Sequence, residues 1–432
     1  MRQLINRKII AGIIKFLEDD EIVVLHGARQ VGKTSIINYL ISRILKGKVK
    51  ESNLVYLDLE DFNLVDICDN GVDEVVNHLR GINCDFNKKI YLFIDEIQYL
   101  KNPSSFLKLF YDRYRGKIKL VVSGSSSFAI KSKFKDSLAG RSIDFEIFTL
   151  DFEEFLWFKK EEINLKTKLS KALETRLKKL YEEFALIGGY PAITLEPSIE
   201  KKELKLKQII NTYIKKDIGD LANIRNINKF NNLLKILAGQ TGQLLNILEL
   251  SNTLNLAKQT VSDYLFILEN TYIIRQIYPF HKNIRSELTK MPKVFLEDTG
   301  IANILANKTF ARVLSGELFE SSIYSNLRKN IGVDNIHFWR TNKGQEIDFI
   351  VENKIFLNSL ISPAKSKEKF LPLEAKLSYS CKAMKNLIYF GEKYKVSNLF
   401  CVTLNKQEGN KGCEKVIQLY PWETLLLISQ QK

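Results

Sequence analysis

The chain has 432 residues, enough for about two to four domains, and at 45% hydrophobic and 27% charged it excludes a wholly disordered or coiled-coil protein. Lys and Arg number 65 against 50 Asp and Glu, a net charge of +15. That excess points to a polyanionic partner, nucleic acid first, although a bias toward lysine codons, alongside abundant Ile and Asn, would produce it equally well. No apolar run reaches the length of a membrane span. The short apolar patch at residues 9–14 is broken by Lys15 and followed by acids, so it reads as an amphipathic helix rather than a signal peptide. A cytoplasmic protein without membrane contact is expected. The five cysteines are scattered and form no C-x-x-C pair, so neither a zinc site nor a disulfide framework is expected.

The first element with chemistry follows the β-branched run Glu21-Ile22-Val23-Val24-Leu25-His26, which reads as a buried parallel strand. Next come Gly27-Ala28-Arg29-Gln30-Val31-Gly32-Lys33-Thr34-Ser35 and the amphipathic residues 36–41. This is G-x-x-x-x-G-K-T between a strand and a helix, the context a phosphate loop requires. Gly27 and Gly32 let the backbone curl its N–H groups toward phosphate oxygens, and the helix N-terminus adds to that field. Lys33 is expected on the β- and γ-phosphates and the Thr34 hydroxyl on Mg²⁺, so ATP with Mg²⁺ is the expected ligand.

The strand Lys89-Ile90-Tyr91-Leu92-Phe93-Ile94 ends in Asp95-Glu96. Asp95 is expected to hold Mg²⁺ through water, and Glu96 to orient and polarise the attacking water, which a hydrolase needs and a mere binder does not. A third strand, residues 118–122, ends in Ser123-Gly124-Ser125, whose hydroxyls Ser123 and Ser125 are candidate γ-phosphate sensors. Arg141, before a last strand at residues 144–148, is a candidate γ-phosphate contact in cis or in trans. With residues 54–58, five strands alternate with helical stretches, an α/β layer.

Gly-Ala-Arg-Gln-Val-Gly-Lys-Thr, Phe-Ile-Asp-Glu-Ile-Gln and Val-Ser-Gly-Ser-Ser-Ser together resemble an AAA-type P-loop ATPase of the additional-strand class. Within it they resemble a prokaryotic subgroup carrying a large C-terminal region of poorly known function. Leu138-Ala139-Gly140-Arg141 and Gly188-Gly189-Tyr190-Pro191 fit that subgroup, the latter with no chemistry to assign. The resemblance implies an ATPase core over residues 1–150 and a helical lid beside the nucleotide over 151–223.

Beyond this, apolar spacing at Leu250, Leu254, Val261, Leu265 and Leu268 predicts two short helices closing on one core. The second would carry Lys258, Gln259, Thr260 and Ser262 outward, residue types suited to phosphate and base-edge contacts. Residues 272–278 alternate like a wing strand, for which 293–296 is the partner. Residues 224–300 thus look like a winged helix, a fold that joins proteins as often as it binds DNA.

The last third, residues 301–432, carries Glu320 near the start of a helix, Asp348 within an alternating strand, and Glu374 and Lys376 at period two on one strand face. In that order the four resemble the PD-(D/E)xK restriction-endonuclease-like fold. The resemblance implies that Glu320, Asp348 and Glu374 ligate metal and that Lys376 polarises water or phosphate. Residues 354–370 replace the usual tight link between the two strands, and such frameworks persist in members that only bind. The expected architecture is therefore α/β: a P-loop NTPase with a parallel sheet and helical lid, then a winged helix, then a nuclease-like domain. Its expected role is ATP hydrolysis acting on, or regulated by, nucleic acid. The alternative is a signalling or scaffold NTPase whose nucleotide state switches self-association while the nuclease fold stays inert; a kinase-like phosphotransferase is a weaker third reading.

Overall fold

The computed structural model describes residues 4–125, 138–165, 167, 169–213, 226–280, 291–352, 370–407 and 413–424. The chain divides into two compact units. The first comprises Met1–Thr149 with Ile209–Ile224 and Asn270–Tyr272; the second comprises Leu150–Gln208, Arg225–Glu269 and Ile273–Lys432.

The first unit is built on five parallel strands, β1 (Ile22–Gly27), β2 (Leu54–Asp58), β3 (Ile90–Asp95), β4 (Ile118–Ser125) and β5 (Ser142–Glu146), in the order β2-β3-β4-β1-β5. The strand β4 is inserted between β1 and β3, registering Val23 on Val121 and Ile90 on Ile118. Strand residues two apart share a face. Val24, Leu57, Leu92, Ile94, Leu120 and Val122 accordingly pack with Val75, Leu79, Phe106 and Phe110 from the helices Val72–Gly81 and Pro103–Tyr114. All six residues of β3 are buried, as a strand covered on both faces requires.

In the second unit, the helices Phe152–Phe158 and Lys171–Ile187 pack together, Phe152 lying against Tyr181, Phe184 and Trp422. Asp151 opens the first of them with a capping box closed by Glu154. The segment expected as a lid on the nucleotide core is therefore helical, but Leu150–Gln208 belongs to the second unit. A row of aromatic residues on its helices finds its apolar partners there.

Next come the helices Ile227–Gly239, Ile247–Leu254 and Lys258–Asn270 and the short strands β6 (Gln243–Leu244), β7 (Ile274–Ile277) and β8 (Lys293–Leu296), in the order β6-β8-β7. The pairing of β7 with β8 is antiparallel, Ile274 opposite Leu296. Arg275 lies on β7. It is largely buried, and its Nε donates to Glu297 at 3.2 Å.

The C-terminal sheet follows the helix Gly316–Ile331 and comprises β9 (Ile336–Arg340), β10 (Glu346–Glu352), β11 (Phe370–Ala375), β12 (Leu399–Val402) and β13 (Val416–Leu419). Its order is β13-β12-β11-β10-β9, with β9, β10 and β11 antiparallel and β11, β12 and β13 parallel. The helix Lys385–Tyr394 supplies the crossover from β11 to β12. A single disulfide is present that the scattered cysteines do not announce: Cys381 and Cys413, 32 residues apart with Cα atoms 5.8 Å apart, are bonded. Sequence spacing hides the proximity because it arises only when this sheet forms.

Gly188-Gly189-Tyr190-Pro191 now has a physical reason. Asp298, buried, caps the helix Thr299–Asn307 by accepting from Gly300 N–H at 3.0 Å and Ile301 N–H at 3.2 Å, and it also accepts from Gly189 N–H at 2.8 Å. A Cβ at Gly188 would lie 2.1 Å from Asp298 Oδ1, at Gly189 2.2 Å from Leu150 O, and at Gly300 2.1 Å from Ile187 O. The motif is a close-packed joint around one buried carboxylate. Asp298→Ala, which strands those N–H groups, should destabilise the second unit by about 3 kcal/mol, measured by chemical denaturation, with Asp298→Asn milder.

Candidate functional site

The first candidate site forms where β1, β3 and β4 end. Gly27 closes β1 at φ +153°, and a Cβ there would sit 2.1 Å from the carbonyl oxygen of Ile147, so the loop can begin only with glycine. Gly32, at φ +103°, opens the helix Lys33–Tyr39. Between them Ala28 and Val31 are buried while Gln30 is exposed; past Lys33, Thr34 and Ser35 are exposed. Lys33 is buried, and its ammonium donates to the carbonyls of Gly27 at 3.0 Å and Ala28 at 2.9 Å.

Asp95, 2% exposed at the end of β3, gathers the remaining residues. Its Oδ2 accepts from Thr34 Oγ1 at 2.6 Å and from Tyr56 Oη at 3.0 Å. Its Oδ1 accepts from the Ser123 hydroxyl and, at 3.1 Å, from the Glu96 N–H. Lys33, Thr34, Asp95 and Ser123, widely separated in sequence, are thus brought to one place. Glu96 follows in the left-handed conformation, φ +57°, a conformation that costs energy in any residue with a Cβ, and the amide of Gln98 donates to its carboxylate. The Ser125 side chain lies outside the described residues.

Two residues at this site escaped sequence reasoning. Tyr56, on β2, looks like any aromatic strand residue. Burial, then the charge of Asp95 and the hydrogen bond to it, raise its phenol pKa above the ordinary value. Arg7, also buried, donates from Nη1 to Val31 O and from Nη2 to Phe148 O, each at 3.0 Å, and so ties the phosphate loop to the segment after β5. Neither has a motif around it.

Arg141 is a correction. Its carbonyl accepts from the N–H of Ile22, at the start of β1, whereas the phosphate loop leaves the other end of that strand. At about 3.3 Å per residue that is roughly 16 Å along the strand. Its guanidinium is engaged by Asp112 at 2.9 Å. A cis contact with phosphate at this loop is not available to it.

The second candidate site is in the C-terminal sheet. Phe349 opposes Leu373, so Asp348 and Glu374 are cross-strand neighbours on β10 and β11. Lys376 Nζ lies 3.0 Å from Asp348 Oδ2 and 2.8 Å from Glu374 Oε1, and the Ala375 N–H donates to Asp348 at 2.9 Å. The expected carboxylate, carboxylate and lysine therefore meet. Burial, and then the charge of Asp348, push the Glu374 carboxyl up to about 8 and that of Glu320 up to about 7. Burial works against the Lys376 ammonium, but Asp348 and Glu374 outweigh it and raise its pKa.

Glu320 differs from expectation. Its Oε1 lies 3.1 Å from the ammonium of Lys293, a residue on β8 that sequence reasoning assigned only to a wing strand. Lys293 is 2% exposed and also meets Glu346 at 2.7 Å. Each of the three carboxylates expected to ligate metal is thus already paired with an ammonium. Among the described residues, no group of three His, Cys, Asp or Glu side chains is arranged to hold a metal ion.

The parallel sheet with an added strand between β1 and β3, the loop from Gly27 to Thr34 and the buried Asp95 define the first unit as a P-loop ATPase fold. Residues 19–156 match the AAA domain family. Residues 178–312 and 315–425 match two families described as a domain of unknown function (DUF8612) and a domain of unknown function (DUF4143). The chain is similar to an uncharacterized protein of Methanocaldococcus jannaschii, 28% identical over 82% of this chain and 76% of the relative. It is also similar to one of Haemophilus influenzae, 26% identical over 67% and 70%. Among solved structures it is similar to the Walker-type ATPase PABY2304 of Pyrococcus abyssi, with 14% identity, TM-score 0.45, and coverage of 70% of this chain and 95% of that one. Likeness to RuvB of Thermotoga maritima has a TM-score of 0.32 at 16% identity, over 63% and 90%. The class rests on the sheet, the loop and the AAA match. Among the described residues, no helix is long and apolar enough to cross a membrane.

Tyr56→Phe removes one donor from the buried Asp95 carboxylate. It should cost about 1–2 kcal/mol in the nucleotide-free protein, read from denaturant titration of the first unit.

Proposed function

We propose that this protein binds ATP with Mg²⁺ on residues 27–35 and hydrolyses it, and that the hydrolysis acts on, or is regulated by, nucleic acid. The observation that carries the first part is the convergence of Thr34 and Asp95 at 2.6 Å beside Glu96. A divalent cation bound with the nucleotide would neutralise phosphate charge there. Lys33 exchanges the carbonyls of Gly27 and Ala28 for β- and γ-phosphate oxygens. Thr34 and Asp95 are the residues that would hold the cation. Ser123 fixes the Asp95 carboxylate, and Glu96, with Gln98 on its carboxylate, orients and polarises the attacking water. The reading places the protein in the cytoplasm, where ATP is supplied.

The second part rests on architecture and charge. The order of three helices and the β6-β8-β7 sheet supports a winged helix over residues 224–300, with Lys258 and Gln259 exposed at the start of its last helix. Helix, three antiparallel strands, helix and parallel strand support a restriction-endonuclease-like fold over residues 301–432. The net charge of +15 favours a polyanion. The second reading, a scaffold or signalling ATPase that self-associates while its nuclease-like fold stays inert, is favoured by one observation: the ammonium partners of Glu320, Asp348 and Glu374.

Lys33→Ala should lower ATP turnover at least about a hundredfold, and an unchanged rate would remove the loop from the mechanism. Glu96→Gln should slow hydrolysis by about 10² or more while ATP stays bound, read by comparing nucleotide retention with phosphate release. Turnover with and without duplex DNA at low salt, where backbone contacts are strongest, separates the two readings. Acceleration supports the nucleic-acid reading, and absence of both acceleration and DNA affinity supports the scaffold.

A further inference from the structure

Lys293 is a buried cation that the ATPase reading does not use. It lies on β8, the central strand of the three-stranded sheet, with its backbone registered on Leu244 of β6 and Ile277 of β7. Pairing on both sides fixes the stem, so the ammonium arrives from a rigid element. It meets Glu320 of the helix Gly316–Ile331 at 3.1 Å and Glu346 of β10 at 2.7 Å. Glu346 also meets Arg340 Nη1, at 2.8 Å. Glu320 is confined from a second direction: a Cβ added at Gly242 would sit 3.3 Å from its Oε1. The hydroxyl of the neighbouring Ser321 is hydrogen bonded to that of Thr241 at 2.9 Å. The carboxylate is thus held toward the three-stranded sheet.

We propose that the Lys293 ammonium is the resident counter-ion of Glu320 and Glu346, and that it occupies the role a divalent cation would otherwise take at the C-terminal carboxylates. The inference goes beyond the ATPase reading and does not depend on it. Four carboxylates, Glu320, Glu346, Asp348 and Glu374, are served by three cations of this chain, Lys293, Lys376 and Arg340. An ammonium has three donors and no acceptor, so beside these carboxylates it supplies the positive charge a metal would bring and repels a second cation. A hard divalent cation prefers several carboxylate oxygens at once. With Glu320 held by Lys293, and Asp348 with Glu374 held by Lys376, such a cation would have to displace at least one fixed ammonium. Lys376 is the more exposed and can move aside; Lys293 is enclosed and cannot.

The consequence is specific: removing the Lys293 charge should create a divalent-cation site that the natural chain lacks. The test is Mn²⁺ binding to the full chain without nucleotide, followed by equilibrium dialysis and by the electron spin resonance of free Mn²⁺. Lys293→Met should bind one further Mn²⁺ per chain, at least tenfold more tightly than any Mn²⁺ on the unaltered protein. The gain should vanish in Lys293→Met with Asp348→Asn, which leaves the Thr34 and Asp95 site intact and so keeps the two sites distinguishable. Where Lys293→Met unfolds without metal, recovery of its thermal transition by Mn²⁺, and not by NaCl of equal ionic strength, reads the same gain. The milder Lys293→Gln should show the same Asp348-dependent binding. The proposal is overturned if the unaltered protein already binds Mn²⁺ in an Asp348-dependent manner as tightly as Lys293→Met. It is equally overturned if neither Lys293→Met nor Lys293→Gln gains an Asp348-dependent ion.

Discussion

A carboxylate carried as deep as Asp95 must find hydrogen bonds or a counter-charge inside the protein, because an unpaired buried charge costs several kcal/mol. The first unit meets that demand with neutral donors: the hydroxyls of Thr34, Tyr56 and Ser123 and the N–H of Glu96. Those donors come from the helix after the phosphate loop, from β2, from β4 and from the residue that follows β3. Satisfying one side chain therefore fixes the relative positions of nearly every part of the nucleotide site. The strand order matters for the same reason. With β4 between β1 and β3, Ser123 ends its strand beside Asp95 while β1 delivers the loop.

The second unit answers the same demand in two other ways. Asp298 is held by backbone N–H groups, and the requirement for close approach explains why Gly188, Gly189 and Gly300 surround it. The C-terminal cluster instead uses charge, with Lys293 and Lys376 as partners. Breaking such a pair from one side leaves a stranded ion, so each lysine is more costly to remove than its net contribution would suggest.

Much of the first unit was legible because its chemistry is local. Gly27 through Thr34 and Asp95-Glu96 each carry their meaning in consecutive residues, and the β-branched runs before them read as buried strands. The same was true of the helices Ile247–Leu254 and Lys258–Asn270, whose apolar spacing is short-range. What stayed hidden depends on contacts far apart in sequence. Tyr56 and Lys293 sit in strands whose neighbours give no sign of a carboxylate approaching. Cys381 and Cys413 meet only once the C-terminal sheet is formed. For Arg141, proximity to β5 says nothing about which end of β1 it adjoins, so the distance that removes its cis contact was not legible. The packing of Phe152 on Tyr181 and Phe184 is likewise a contact between residues far apart in sequence.

The difference between hydroxyl and ammonium partners bears on what each site can do. A hydroxyl has one hydrogen to give and two lone pairs to offer. Thr34 can therefore turn from Asp95 toward a cation without losing its capacity to bond, and Asp95 is left with Tyr56, Ser123 and the Glu96 N–H. Exchange of this kind is cheap and reversible. An ammonium cannot make that turn. Where Lys293 meets Glu320 and Glu346, admitting a cation means either expelling a buried ammonium from its carboxylate partners or crowding a second positive charge against it. One chain thus holds two acidic clusters with opposite dispositions: the first poised for exchange, the second closed by its own lysine. The residue that separates them in chemistry is the partner of the carboxylate, which the acidic motif itself does not reveal.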